Sequence, residues 1–194
     1  MPAIRDEEYA AVVQRERPRI QATAYLLTGD PVEAERVVEL VLAQLYAHWP
    51  RRSSPQLEVI RAVVNTARTP VNLPWEYRER VELIDGPLPV PAAEPIIADL
   101  RLLSYDQRAA VVLERYAGLS DVQISDILEL PVADLLSLDR RTRVILSAGR
   151  PEHTSDETLT QEFTAAIPYE LRESPGGTAE LAHSRQLIHR RWLQ

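Results

Sequence analysis

At the head of several runs whose apolar residues recur at helical spacing, a short polar side chain stands three residues ahead of a Gln or Glu, and four of these pairs mark the organisation of the chain. The pairs are Asp30 with Glu33, Ser104 with Gln107, Ser120 with Gln123 and Thr154 with Glu157. Such a pair closes the free N–H groups of a helix start from both sides, so each marks where a helix begins. No stretch shows period-two alternation bounded by turn residues. The spacing therefore predicts an all-α chain.

Between these starts the breakers set the organisation. Tyr9, Val12 and Val13 predict one helical piece and Ile20, Tyr25, Leu26 and Leu27 another, with Pro18 between them as a kink or first-turn proline and Thr28-Gly29 as the end. Ala34, Val37, Val38, Val41, Leu42 and Leu45 form the apolar face of the next helix. Leu57, Ile60, Val63, Val64 and Ala67 form that of a third. The segment DGPLPVPAAEP, with Pro87, Pro89, Pro91 and Pro95, favours extended backbone. This predicts a helical domain over 1–84, a Pro-rich linker over 85–95, a second helical domain over 96–149 and a helical C-terminal extension over 150–194.

Composition removes several function classes. The chain has 194 residues, 45% of them hydrophobic, and no cysteine, so it has no disulfide, thiolate metal site or cysteine nucleophile. No run is apolar enough to cross a membrane, and MPAIRDEEYA lacks a secretory pattern, which makes a cytoplasmic location the default expectation. His48, His153, His183 and His189 have no partners at metal-ligand spacing, and no GK[ST], GxSxG or HExxH occurs. The expectation is no enzyme activity, no metal, no cofactor and no small-molecule substrate. All 22 basic residues are Arg, a bias that fits genome composition, and the net charge is -7. A surface that grips a polyanion everywhere is excluded; a local basic face is not.

Two stretches resemble one family. RERPRIQATAYLLTGDPVEAERVVELVLAQLYAHWPR, followed by VVNTAR, is similar to region two of the extracytoplasmic-function sigma factors, which direct bacterial RNA polymerase to promoters. LRLLSYDQRAAVVLERYAGLSDVQISDILELPVADLLSLDRRTR is similar to their region four. The resemblance spans roughly residues 6 to 148 and implies a sigma region-two-like bundle and a region-four-like helix-turn-helix. It also implies two partners, the polymerase core and promoter DNA. In that family region two binds the polymerase clamp and opens the element nearer the start site, while the second helix of region four enters the major groove of a more distant element. Carried over, Val132 to Arg143 would face the groove, with Arg140, Arg141 and Arg143 as phosphate or base contacts. Arg51, Arg52, Arg61 and Arg68 would meet nucleic acid from region two, and Trp75 or Tyr77 would stack on an unpaired base.

The sequence departs from the family at its contact positions. Leu136 and Leu138 stand where basic side chains are usual, and from Pro131 to Ala148 three Arg face two Asp. Leu135, Leu136 and Leu138 are spread around the helix by its 3.6-residue turn, so at least one is exposed or covered by something else. In region two the polar set that meets polymerase is replaced by Arg36, Val38, Glu39 and Leu40. Two functions follow. In the first, the chain is an initiation factor that binds polymerase and promoter DNA. In the second, it is a diverged sigma-like protein with weak or no DNA binding, using Arg36, Glu39, Leu40, Leu136 and Leu138 to meet a protein partner such as an anti-sigma factor. The last segment, TAELAHSRQLIHRRWLQ, with Arg185, Arg190, Arg191 and Trp192, itself has some likeness to the cytoplasmic part of an anti-sigma factor.

Overall fold

The structure is a computed structural model that describes residues 2–48, 55–68, 94–149 and 155–172. Among these residues it is all-α, as the spacing predicts. Three helices come first: α1 (Pro2–Thr28), α2 (Pro31–Ala47) and α3 (Pro55–Arg68). Four follow: α4 (Pro95–Arg101), α5 (Tyr105–Arg115), α6 (Asp121–Leu128) and α7 (Val132–Gly149). Two short helices close the described chain, α8 (Asp156–Ala166) and α9 (Tyr169–Arg172).

The helix starts are where the polar pairs place them, with two differences. Ser104 and Ser120 make complete capping boxes with Gln107 and Gln123. Asp30 accepts from the N–H groups of Val32 and Glu33, but the Glu33 carboxylate turns to the Arg36 guanidinium and leaves the box half made. An ion pair one turn along outcompetes a neutral backbone donor for the same carboxylate. At the fourth start Ser155, one residue beyond Thr154, caps α8 by accepting from the Thr158 N–H.

Pro18 neither ends nor divides α1, which runs through it uninterrupted. An interior proline costs about 3 kcal/mol. Burial of Tyr9 and Val13 on one side of it, and of Ile20, Leu26 and Leu27 on the other, offsets that cost by holding both halves against the same neighbours. The Tyr9 hydroxyl donates to the Leu42 carbonyl at 2.9 Å, and its ring meets Tyr46 edge-on at 5.0 Å. Arg17, buried between α1 and α2, donates to Glu35 at 2.8 Å, and Gln21 donates to the other oxygen of that carboxylate at 2.6 Å.

The hydrophobic core is one cluster running from α1 through α9. α1 packs on α5 and α3 on α6, so the helices before and after the Pro-rich segment share a boundary with no apolar gap. Residues 155–172 are part of it: Leu159, Phe163, Ala166, Ile167 and Leu171 are buried, and Phe163 is the only phenylalanine in the chain.

Candidate interaction surface

The α6–α7 pair is joined by Glu129, Leu130 and Pro131. Glu129 caps α6 in the left-handed region, φ 57° and ψ 38°, a conformation that glycine adopts at least cost. The Leu130 N–H returns to the Ser125 carbonyl at 3.1 Å, which closes the end of α6 and turns the chain into α7.

α7 buries Leu135, Thr142 and Leu146 and half-buries Leu138. Leu136 is 48% exposed. Val132, Leu136, Arg140 and Val144 follow one another at i,i+4 and form a mostly apolar stripe on the outer face, with Val132 39% and Val144 67% exposed. Beside the stripe, a cavity of about 230 Å³ opens between α5, α6 and α7, floored by Val111, Ile124, Leu135 and Leu136 and rimmed by Glu114, Asp121 and Asp139. Burial at this rim raises the Glu114 carboxyl above its ordinary value, with Arg115 opposing and Asp139 adding to the shift.

Among the described residues, the predicted nucleic-acid contacts are divided between α3, with Arg61 and Arg68, and α7, with Arg140, Arg141 and Arg143. Arg61 on α3 donates to the Asp126 carbonyl at 2.9 Å and pairs with the Asp126 carboxylate on α6. Arg68 pairs with Asp106 at 2.7 Å and lies 5.5 Å from the ring centre of Tyr105. Arg143 is held by Asp139 at 2.9 Å and by Asp156 of α8 at 3.2 Å, and the Asp139 hydrogen bond raises its guanidinium above its ordinary value. Arg140 and Arg141 stand exposed on α7, and Arg141 donates to its own helix at the Ser137 carbonyl. Arg51, Arg52, Trp75 and Tyr77 lie outside the described residues. Of the candidates on α2, Arg36 is buried and makes a two-point pair with Glu33, while Glu39 and Leu40 are half-buried.

Several residues at these boundaries carry no sequence signal. Arg19 donates to the Ala117 carbonyl, Arg101 to that of Gly29 and Arg108 to that of Leu27, each across more than 70 residues of sequence. The i,i+4 stripe of Val132, Leu136 and Val144, by contrast, is visible in the sequence once the helix register is known.

No helix among the described residues is long and apolar enough to cross a membrane, and none of their carboxylate and histidine groups gather in a way that could hold a metal. The sequence matches no family model and no curated protein. The fold does match solved structures. It is similar to the sigma factor RpoE in complex with the anti-sigma factor NepR from Bartonella quintana, with a TM-score of 0.55 and 18% identity over 73% of this chain and 96% of that one. This is a sigma-factor-like fold. It is also similar to the anti-anti-sigma factor PhyR complexed with NepR from the same organism, with a TM-score of 0.50 and 15% identity over 79% of this chain. That match spans 60% of the PhyR chain.

Proposed function

We propose that this chain is a sigma-like transcription regulator that acts by binding a protein partner of the anti-sigma kind. The observation that carries the reading is the apolar stripe of Val132, Leu136 and Val144 on the outer face of α7, the helix that in sigma factors of the resembled family reads DNA. Apolar side chains cannot pair with phosphates or base donors. An exposed row of them beside a cavity is instead the surface expected of a helix-binding groove. Three of the arginines that would serve DNA are held by carboxylates of the chain itself, which removes them from the count of phosphates it can neutralise. The two similar structures named above are complexes that contain an anti-sigma factor, which supports a partner of that class.

The test uses the full chain with three baits: core RNA polymerase, a labelled promoter duplex over a salt series, and the cognate anti-sigma candidate identified by cross-linking and mass spectrometry. The expected result is a complex with the protein partner that is lost on Leu136→Glu and weakened by Leu138→Glu, with duplex binding too weak to measure at moderate salt. Tight duplex binding that falls steeply with salt and is weakened by Arg140→Ala and Arg141→Ala would overturn it. The exposure of Arg140 and Arg141 is the observation that favours this second reading, an initiation factor bound to polymerase and promoter DNA.

A further inference from the structure

Residues 155–172 sit on both groups of helices. α8 packs on α4 and α5, and α9 packs on α1. On α8, Leu159, Phe163 and Ala166 recur at i, i+4 and i+7 and are buried, while Glu157, Gln161 and Thr164 face outward; beyond its end Ile167, in extended backbone, and Leu171 of α9 are buried as well. This is the pattern of an amphipathic helix laid into a groove. The leading end is held by charge. Asp156 pairs with Arg115 of α5 at 2.5 Å and with Arg143 of α7 at 3.2 Å, and Thr160 donates to the Arg115 carbonyl at 3.2 Å.

We infer that α8 and α9 are an internal plug in a helix-docking groove formed by α1, α4 and α5, and that a partner helix of the same chemistry displaces them. That helix carries apolar residues at i, i+4 and i+7 and an acidic residue ahead of the first, to meet Arg115 and Arg143. The plug is suited to exchange. An 11-residue helix is marginal in water on its own, so its place depends on the groove rather than on its own helicity. Of its two ion pairs, the one to Arg143 is half exposed on both sides and therefore weak, while the one to Arg115 has only its Asp156 side half exposed. Displacement also takes Asp156 from Arg143 and leaves it paired with Asp139 of its own helix, which couples the groove to α7. The inference rests on the reading above only in supposing that the displacing helix belongs to a protein partner.

The experiment uses the full chain, hydrogen exchange, and a fluorescein-labelled peptide of residues 155–172 as the competing probe. In the parent chain the α8 amides are expected to exchange at least about tenfold faster than those of α2, because the plug opens without the rest. Asp156→Asn, which leaves the apolar contacts in place, is expected to speed α8 further with α1 and α2 unchanged. Phe163→Ala is expected to bind the peptide about tenfold or more tightly than the parent does, since a groove that is open more of the time has a higher apparent affinity. If α8 exchanges in step with α2, or if Asp156→Asn speeds α2 as much as α8, the plug is ordinary core and the inference fails. It also fails if a folded Phe163→Ala chain takes up no peptide. These readouts do not involve the Leu136 face, so loss of the Leu136-dependent partner with plug exchange intact would remove the proposed function alone.

Discussion

Arg61 and Arg68 decide between a DNA-facing α3 and an α3 that clamps the helices after the Pro-rich segment, and their removal can be given a size. Arg61 is 30% exposed at its side chain and Asp126 is 72% exposed, so the ion pair itself is worth no more than about 0.2–1 kcal/mol after solvent screening. The Arg61 hydrogen bond to the Asp126 carbonyl adds about 0.5–1.5 kcal/mol. Arg68 and Asp106 are 41% and 43% exposed, with a similarly small pair energy, and the Tyr105 ring contributes about 0.5–1 kcal/mol of cation–π attraction. Each Arg→Ala change should therefore destabilise by about 1–2 kcal/mol. The two sites lie two turns apart on α3, about 10 Å, and should be nearly additive.

For a chain of this size the double variant should lose roughly 5–12 °C in Tm. Urea titrations of Arg61→Ala, Asp126→Ala and the pair, at low and high salt, give the coupling energy directly. It should be a few tenths of a kcal/mol to about 1 kcal/mol and should shrink with salt. Asp126→Ala keeps the backbone carbonyl, so it should cost less than Arg61→Ala. A coupling of zero, together with a loss of duplex affinity on Arg61→Ala, would refute the clamp and return Arg61 to nucleic acid.

Glu129→Gly should stabilise the chain by about 0.5–1 kcal/mol, since the left-handed residue loses its Cβ clash while the unfolded chain gains some freedom; thermal melts check the sign. Stability should also report on Glu114. Its carboxyl is raised in the folded state, chiefly by burial, so the folded protein holds that proton more tightly than the unfolded one. The resulting penalty is absent below the ordinary Glu range and grows as pH rises through the raised folded value. Glu114→Gln should thus be more stable than the parent at neutral pH, with the difference vanishing on acidification. A Glu114→Gln variant less stable than the parent at neutral pH would mean that pairing with Arg115 outweighs burial.

What the sequence disclosed and what it hid divide by distance along the chain. The capping boxes at Ser104 and Ser120, the end at Gly29 and the apolar stripes of α2 and α3 are encoded within four residues, and the structure places them where the spacing predicts. Pro18 misleads because its local penalty is overridden by packing from α2 and α3, which no window along α1 contains. The spread of Leu135, Leu136 and Leu138 was legible as geometry, and Leu136 is the one left outside. The destinations of Arg61, Arg68 and Arg143 were not legible, because their partners Asp126, Asp106 and Asp156 lie 65, 38 and 13 residues away.

Those destinations share a logic that bears on what the fold can do. Arg108 and Arg101 donate to the Leu27 and Gly29 carbonyls at the end of α1, and Arg19 donates to the Ala117 carbonyl just past the end of α5. The last carbonyls of a helix lack internal partners and carry the negative end of its dipole, so a guanidinium fork there satisfies acceptors and charge together. Each of these forks comes from the other group of helices. The cations that join the groups are thus spent on backbone oxygens inside the molecule. A sigma factor of the resembled family must reach two separated promoter elements, which requires its two regions to stand apart. Here, parting them would leave three helix-end carbonyls without their cations and two carboxylates without their arginines, in addition to exposing the shared core. Each loss is about 1 kcal/mol or less on its own, but they are incurred together in one motion. A chain built this way favours the joined state, and a ligand that needs the regions apart must supply the whole difference in its own binding.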